Sequence, residues 1–370
     1  MMAVRPLNVL VLGASYGLLP GLKLSLAGHA VTFVGRPDEI ATMAAAPIRV
    51  DLPLRRHGGR VVLSATTVAD AAPGFPSLRT PAEADPQLAD FVILAMQEPQ
   101  FAAPEVATLL QRIGVARKPC LSIMNLPPPP SLARLGNIPP AAVQGVYSAP
   151  NAWDAIDPAL LTLASPDAQA LRADPAKPGE LTVTLASNFK AAPFVDRSAQ
   201  ELLERLGRDL SHLKVLHADR EVRLPVALVA RSSIHVPLAK WPMLIAGNCR
   251  CVTEAGPRSI ASAVHDDLAA TEKIYERVVG LVRGLGASSA DMVPFAAYAR
   301  AASDLTRPSS LARGLASGVT AVERIDRLVA NLLAIDGALD DHIVHLVDLI
   351  DRKIGKNRAN LSSVESPGVW

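Results

Sequence analysis

The sequence is poor in the residue types that build disulfide frameworks, nucleic-acid surfaces and membrane spans. Only three of its 370 residues are cysteines, and Cys249-Arg250-Cys251 is too closely spaced for a usual zinc knuckle. We therefore expect reduced thiols, no metal and a cytoplasmic protein. Aromatic residues make up 4%, and 37 Lys+Arg against 35 Asp+Glu leave a net charge of +2, which argues against a nucleic-acid partner. Because no uninterrupted apolar run reaches the ~18 residues of a membrane span, we expect no membrane partner.

Hydrophobic residues are abundant, at 49%, and their pattern in the first half alternates between strands and helices. Leu7–Leu12 and Phe91–Met96 are nearly continuous apolar runs, typical of parallel strands buried on both faces. Ala30–Val34, Pro119–Met124 and Val143–Tyr147 are further predicted strands. Strands that alternate with helices predict right-handed crossovers and a mainly parallel sheet.

The character of the sequence changes from about Asp219 onward. Ile260–Leu285 and Ala321–Ile354 show helical periodicity, and no strand run is evident there. We predict an α/β fold with an N-terminal Rossmann-type doubly wound parallel sheet, followed by an all-helical C-terminal domain. The predicted bounds are 1–218 for the dinucleotide-binding domain, 219–357 for a helical substrate and dimerisation domain, and 358–370 for a flexible tail.

A glycine turn, Gly13-Ala14-Ser15-Tyr16-Gly17, follows the first predicted strand. Such a turn lets the backbone approach a pyrophosphate, whose charge is favoured at a helix N-terminus. Here Ser15 replaces the middle glycine of the usual fingerprint and the last interval is one residue short, so a purely structural turn is the alternative. Arg36 follows the second strand, where an arginine suits the 2′-phosphate of NADP(H). We expect NADPH rather than NAD, unless Arg36 is simply solvated.

Taken in order, these motifs resemble those of the ketopantoate reductase family. The matching segments are Gly13–Gly17, Gly28–Arg36, Ser122–Asn125, Lys240–Asn248 and Pro308–Leu311. The resemblance implies an NADP-dependent homodimeric oxidoreductase that reduces a small 2-keto acid, or a related carbonyl or imine, in an interdomain cleft. It also implies that Asn125 contacts the cofactor.

The chain departs from the family at the catalytic positions. Met243 and Leu244 occupy the turn that carries the family's catalytic lysine, and Ala321 stands in place of its glutamate. Gln97 aligns with a second lysine of the family. Lys240, one turn earlier, is either a displaced lysine or a solvated one. These losses leave open a protein of another class, one that binds NADP but has no catalytic activity.

A histidine supplies an alternative proton donor. His235, in His235-Val236-Pro237, resembles the junction histidine of opine dehydrogenases, which join an amine to a 2-keto acid; a packed junction histidine is the other interpretation. Glu323 ranks behind Lys240 and His235 as a donor. The predicted site residues are, for catalysis, Lys240, His235 and Asn248; for the cofactor, Gly13, Ser15, Tyr16, Gly17, Arg36, Met96, Gln97 and Asn125; and for the substrate, Ser309.

Two other patterns are weaker indications of chemistry. His342 and His345 lie three residues apart on a predicted helix and could ligate a metal, but a solvated helix surface is favoured. Arg55-Arg56-His57 forms a basic hairpin tip that we expect to be solvated.

Overall fold

The computed structural model describes residues 5–54, 58–64, 77–136, 138–174 and 176–364. The chain divides into two compact units. The first unit comprises Met1–Arg134 and Ala149–Pro237, and the second comprises Leu135–Ser148 and Leu238–Trp370.

Within the described residues, the first unit is built on β-strands and five α-helices. Its strands are β1 (Asn8–Leu12), β2 (Ala30–Val34), β3 (Arg49–Pro53), β4 (Arg60–Ser64), β5 (Ser77–Arg79), β6 (Phe91–Leu94), β7 (Cys120–Ile123), β8 (Leu161–Ser165), β9 (Gln169–Leu171), β10 (Glu180–Leu185), β11 (Phe189–Ala191), β12 (Lys214–His217), β13 (Arg220–Arg223) and β14 (Leu228–Ala230). Its helices are α1 (Leu18–Leu26), α2 (Pro37–Ala45), α3 (Pro104–Val115), α4 (Pro129–Leu132) and α5 (Arg197–Ser211).

Eight strands form the main sheet, in the order β14-β11-β8-β7-β6-β1-β2-β5. From β5 to β8 all neighbouring strands are parallel. Strand β11 runs antiparallel to β8, and β14 runs parallel to β11. The six parallel strands have the strand order of a Rossmann fold, with β1 at the centre. A second sheet, in the order β4-β3-β10-β9, and the hairpin of β12 and β13 complete the unit.

Helix α1 has no polar face, and its environment explains why. Its sequence, Leu-Leu-Pro-Gly-Leu-Lys-Leu-Ser-Leu, is buried from Leu18 to Ser25. Apart from Lys23 and Ser25 the helix is apolar on every side, and such a helix must be covered on all sides. One apolar core joins α1 to β1 and β2 of the main sheet and to β3, β4 and β10 of the second sheet.

The elements of the second unit are helical throughout the part of it that the structure describes. They are α6 (Trp241–Met243), α7 (Ile260–His265), α8 (Leu268–Gly284), α9 (Phe295–Ala302), α10 (Ser310–Ala316), α11 (Ile325–Ile335) and α12 (Asp341–Val364), with 3₁₀ turns between some of them. Helix α6 continues into a single π-helical turn, Leu244–Asn248. The segment 135–148 joins this unit, because the Asn331 side-chain amide donates to the backbone carbonyls of Ala142 and Gln144, each at 3.1 Å. Among the described residues, no helix is both long enough and apolar enough to cross a bilayer.

The predicted fold class is confirmed by this topology, but several predicted elements are wrong in detail. Val143–Tyr147 is not a strand: Gly145 has a φ of +69°, and a 3₁₀ turn precedes it at Pro140–Val143. The helix predicted over Ile260–Leu285 is interrupted, because the Asp267 carboxylate caps a new helix by accepting from the Ala270 amide at 2.9 Å. The helix predicted over Ala321–Ile354 is likewise broken at Gly337, whose φ is +66°.

The units also differ from the predicted domain bounds. Strands β13 and β14 lie beyond residue 218 and belong to the first unit, which extends to Pro237. Segment 135–148 belongs to the second unit although it precedes the predicted boundary. Helix α12 continues to Val364, so the predicted tail is helical over its first residues; residues 365–370 lie outside the described residues.

Candidate active site

The glycine turn closes tightly between the ends of β1 and β6. Gly13 has a φ of +102°, and its amide donates to the Val34 carbonyl at 3.0 Å. A Cβ at this position would lie 2.5 Å from the Ala95 carbonyl oxygen and 2.7 Å from Cγ of Met96. Both the backbone conformation and the close approach therefore require glycine.

The same turn presents backbone donors at the start of α1. The Gly17 amide donates to the Gly13 carbonyl at 3.1 Å, which closes the turn. Within the part of the chain that the structure describes, the amides of Ser15 and Tyr16 donate no hydrogen bond. Unsatisfied amides at a helix N-terminus carry partial positive charge and favour an anionic group. The turn therefore has the donors that a pyrophosphate needs.

The Tyr16 side chain is not one of these donors, because it packs into the core of the first unit. Its hydroxyl donates to the Ala168 carbonyl at 2.6 Å, and its ring packs edge-on against Phe189, with ring centroids 6.0 Å apart. Burial, helped by the nearby Asp167 carboxylate, raises the pKa of the phenol well above its usual range. The side chain is thus part of the core, and the backbone amide is what Tyr16 can offer a cofactor.

Three predicted cofactor residues follow neighbouring strands at one edge of the main sheet. Gly13 follows β1, Met96 follows β6 and Asn125 follows β7, and the ends of these strands are in register. The chain leaves β1 towards β2 on one side and returns as β6 on the other, so this edge is the switch point where open α/β sheets bind ligands. Gln97, next to Met96, is exposed, and its backbone N–H donates to Oε1 of Gln100 at 2.9 Å.

A buried carboxylate that the sequence analysis did not identify lies in the same loop. Glu98 follows Gln97 directly and is fully buried. Its Oε1 accepts from the Ala149 amide at 3.4 Å. A single glutamate has no sequence signal that separates a buried position from a solvated one, so this burial is visible only in the structure.

Arg36 directly follows Gly35 at the end of β2. An added Cβ at Gly35 would be 2.9 Å from Cβ of Ala14. The Arg36 side chain is 67% exposed, and its Nη2 lies 3.4 Å from Oδ2 of Asp38 and 3.5 Å from Oε1 of Glu39. The guanidinium is thus available to a ligand at this end of β2, but two carboxylates lie close to it.

In the second unit the predicted residues surround the π-helical turn. Lys240 is half-buried and precedes Trp241, where α6 begins. Leu244 is buried, and the Met243 carbonyl accepts from the Tyr298 hydroxyl at 3.2 Å. The family's lysine turn is therefore part of the apolar packing here. π-Helical turns are rare and are often found at functional sites.

Ser309 and Asn248 are brought together, but through a structural contact. The Ser309 hydroxyl donates to the backbone carbonyl of Asn248 at 2.7 Å and accepts from the Ala312 amide at 3.2 Å. Ser309 is therefore the N-cap of α10, and its side chain is buried. The Asn248 side chain, on a half-buried residue, is not used by these contacts.

The remaining candidates are spread over both units. His235 belongs to the first unit and is half-buried, and its amide donates to the Ser233 hydroxyl at 3.2 Å. Glu323, in the second unit, is buried next to Arg324, which pairs with Asp326 at 2.8 Å.

Neither of the weaker patterns gains support from the described residues. His342 and His345 are both exposed on α12. Among the described residues, no three His, Cys, Asp or Glu side chains are grouped as metal ligands. The basic tip Arg55-Arg56-His57 lies outside the described residues.

No protein-family model and no curated protein matches the chain, but solved structures do. A D-mandelate dehydrogenase in complex with NADH and anilino(oxo)acetate is 14% identical, with a TM-score of 0.64 over 95% of this chain and 99% of that one. A PanE/ApbA family ketopantoate reductase from Ralstonia eutropha JMP134 is 15% identical, with a TM-score of 0.64 over 95% and 99% of the two chains. A dimeric ketopantoate reductase from Staphylococcus aureus is 11% identical, with a TM-score of 0.60 over 95% and 100%. At these identities the likeness establishes the fold, so the resemblance predicted from the sequence motifs is confirmed at that level: this chain has the fold of the ketopantoate reductases.

Proposed function

We propose that this protein is a nicotinamide-dependent oxidoreductase that reduces a small 2-keto acid, or a related carbonyl or imine, and prefers NADPH. The observation that carries the proposal is the glycine turn at the switch point of the sheet, where Gly13 leaves no room for a Cβ. The structural neighbours, a D-mandelate dehydrogenase with NADH and several ketopantoate reductases, support the cofactor and the substrate class. When bound, the nicotinamide supplies the hydride.

Residues of the first unit would bind the cofactor. The amides of Ser15 and Tyr16 would bind the pyrophosphate, and Gly13 would allow it to approach. Met96, Gln97 and Asn125 follow the neighbouring strands and would position the nicotinamide end.

Residues of the second unit, together with His235, would bind the substrate and donate the proton. The Asn248 side-chain amide would orient the substrate. Ser309, the residue predicted to contact the substrate, lies next to Asn248. Lys240 or His235 would donate the proton to the developing alkoxide or amine.

Nucleotide binding is the first test, and position 15 offers a matched pair of variants. Titration of the protein with NADPH and with NADH, followed by cofactor fluorescence, measures both dissociation constants. Ser15→Asp places a negative charge in the turn; it suits a helix N-terminus but repels a pyrophosphate. We expect Ser15→Asp to weaken both nucleotides by ~10-fold or more without loss of thermal stability, whereas Ser15→Asn keeps binding within a few-fold. If the wild type binds neither nucleotide, the proposal is wrong.

The proton donor is tested by single alanine substitutions. We expect Lys240→Ala or His235→Ala to lower turnover by ~10²-fold while nucleotide binding persists. Glu323→Ala is the comparison, because Glu323 lies two residues from the family's glutamate position. Wild-type turnover in all three variants would show that the donor lies elsewhere.

A second candidate function is an NADP-binding protein without catalytic activity. It is favoured by buried Leu244 and by Ala321 at the places of the family's lysine and glutamate. Assays of NADPH oxidation with a panel of 2-keto acids separate the two functions, because saturable turnover rejects the inactive protein. Adding amines to the panel tests the opine-dehydrogenase alternative, which requires turnover only when both partners are present.

We also propose a homodimer formed through the helical second unit, and a cytoplasmic location. The dimeric neighbour from Staphylococcus aureus supports the first proposal, and the three free, buried cysteines fit a reducing compartment. Sedimentation equilibrium measures the assembly state directly, and a monomer at micromolar concentration would contradict the dimer.

A further inference from the structure

Glu39 lies between two arginines beside the predicted phosphate position. Its Oε1 is 3.0 Å from Nη1 of Arg172 and 3.5 Å from Nη2 of Arg36. The two partners differ in exposure: the Arg172 side chain is 20% exposed and that of Glu39 18%, whereas Arg36 is largely exposed. The more buried Arg172 therefore makes the stronger ion pair with Glu39, and the exposed Arg36 makes the weaker one.

This arrangement has an electrostatic consequence for Arg36. A carboxylate next to the arginine that reads a 2′-phosphate both competes for the guanidinium and repels the phosphate. Arg172 offsets the charge of Glu39 and holds its oxygen at the shorter distance. Asp38, the other carboxylate near Arg36, is 72% exposed and can rotate into solvent, where its charge is screened.

We propose that Arg172 is a positioning residue for cofactor selectivity: by neutralising Glu39, it leaves Arg36 free to bind the 2′-phosphate of NADPH. The inference rests on the proposed function. Arg172 directly follows the short strand β9, in the second sheet, and Glu39 lies in the first turn of α2. The second sheet thus contributes a charge to the cofactor end of the main sheet. No sequence motif marks Arg172, since nothing near it resembles a nucleotide fingerprint.

The test compares dissociation constants for NADPH and NADH at low salt in four proteins: wild type, Arg172→Gln, Glu39→Gln and the double variant. We expect Arg172→Gln to weaken NADPH by on the order of 5- to 10-fold and NADH by less than about 2-fold, because only NADPH carries the extra phosphate. Glu39→Gln in the Arg172→Gln background restores NADPH binding, because it removes the uncompensated charge. The NADPH effect shrinks as salt is raised, which a merely structural loss would not do.

A matched control is available in the same sheet. Arg49 pairs with Glu180 at 2.6 Å and, within the described residues, makes no ion pair with Glu39. Arg49→Gln also removes an arginine–glutamate pair, and we expect both dissociation constants to stay unchanged.

The outcomes separate the two proposals. If the wild type binds neither nucleotide, the proposed function fails and this inference with it. If the wild type prefers NADPH and Arg172→Gln keeps that preference, or if the double variant stays as weak as Arg172→Gln, only the role of Arg172 is overturned.

Discussion

Lys23 is the one charged side chain of α1 and is buried, so its titration should be visible in the stability of the first unit. The side chain is 1% exposed, and its Nζ donates to the Pro225 carbonyl at 2.6 Å and to the Val226 carbonyl. Burial lowers the pKa of this amine from its ordinary 10.5 to about 7. We predict that the stability of the wild type rises with pH relative to that of Lys23→Met.

The sign and size follow from proton linkage. Between about pH 7 and about pH 10.5 the unfolded chain keeps the lysine proton while the folded chain has lost it, so rising pH favours the folded state. One proton corresponds to about 1.4 kcal/mol of unfolding free energy per pH unit. From about pH 7.5 to about pH 9.5 the difference between wild type and variant should therefore shift by roughly 2–3 kcal/mol in favour of the wild type. Below about pH 7 both states hold the proton, and the difference becomes constant.

Urea unfolding at several pH values measures this difference. Tryptophan fluorescence is a suitable signal, because Trp153 is buried in the first unit. Other groups titrate equally in both proteins and cancel. Lys177→Met, at an exposed lysine, is the control and should run parallel to the wild type. If wild type and Lys23→Met also run parallel over this range, Lys23 stays charged in the folded protein and the argument from burial is refuted.

Three further predictions concern the cofactor and the second unit. Arg36→Glu should weaken NADPH by roughly 1.5–3 kcal/mol and NADH far less, as measured by fluorescence titration; equal losses would show that Arg36 does not read the phosphate. Gly247→Ala should lower the unfolding free energy by about 1–3 kcal/mol, because its Cβ would lie 1.9 Å from the buried Tyr298 hydroxyl; Gly280→Ala, in open space on α8, should be neutral or stabilising in the same denaturation assay. Ser309→Ala should cost about 1 kcal/mol of stability through the lost cap, and an unchanged KM in that variant would contradict its predicted role at the substrate.

The elements that could be predicted are those whose signal is local. The strands β1 and β6 are continuous apolar runs, so their existence and their buried position followed from the sequence. Strands β9, β11 and β14 have three residues each, too few for a period, and depend on pairing with distant strands. The first unit extends past the predicted boundary because β14, one of these short strands, pairs with β11.

The candidate site divides in a similar way. The places of Gly13, Arg36 and Asn125 just after strands were predictable because each strand is recognisable in the sequence, and their roles stay predictions. The burial of Glu98 and the pairing of Arg172 with Glu39 were not predictable, because both depend on residues far away in the sequence. Tyr16 was predicted from its place in the turn, but the direction of its side chain depends on Ala168, more than a hundred residues later.

The segment 135–148 has a consequence for the order in which the protein folds. It leaves the ribosome inside the sequence of the first unit, yet Ala142 bonds to Asn331, 189 residues later. Contacts of such long range close large loops and form late. During synthesis the strands on either side of this segment can pair while the segment itself still lacks its partner helix. The buried residues of this segment, Leu135, Ala142 and Val146, therefore stay uncovered until the second unit is complete. Transiently exposed apolar surface of this kind promotes chaperone binding and misassembly.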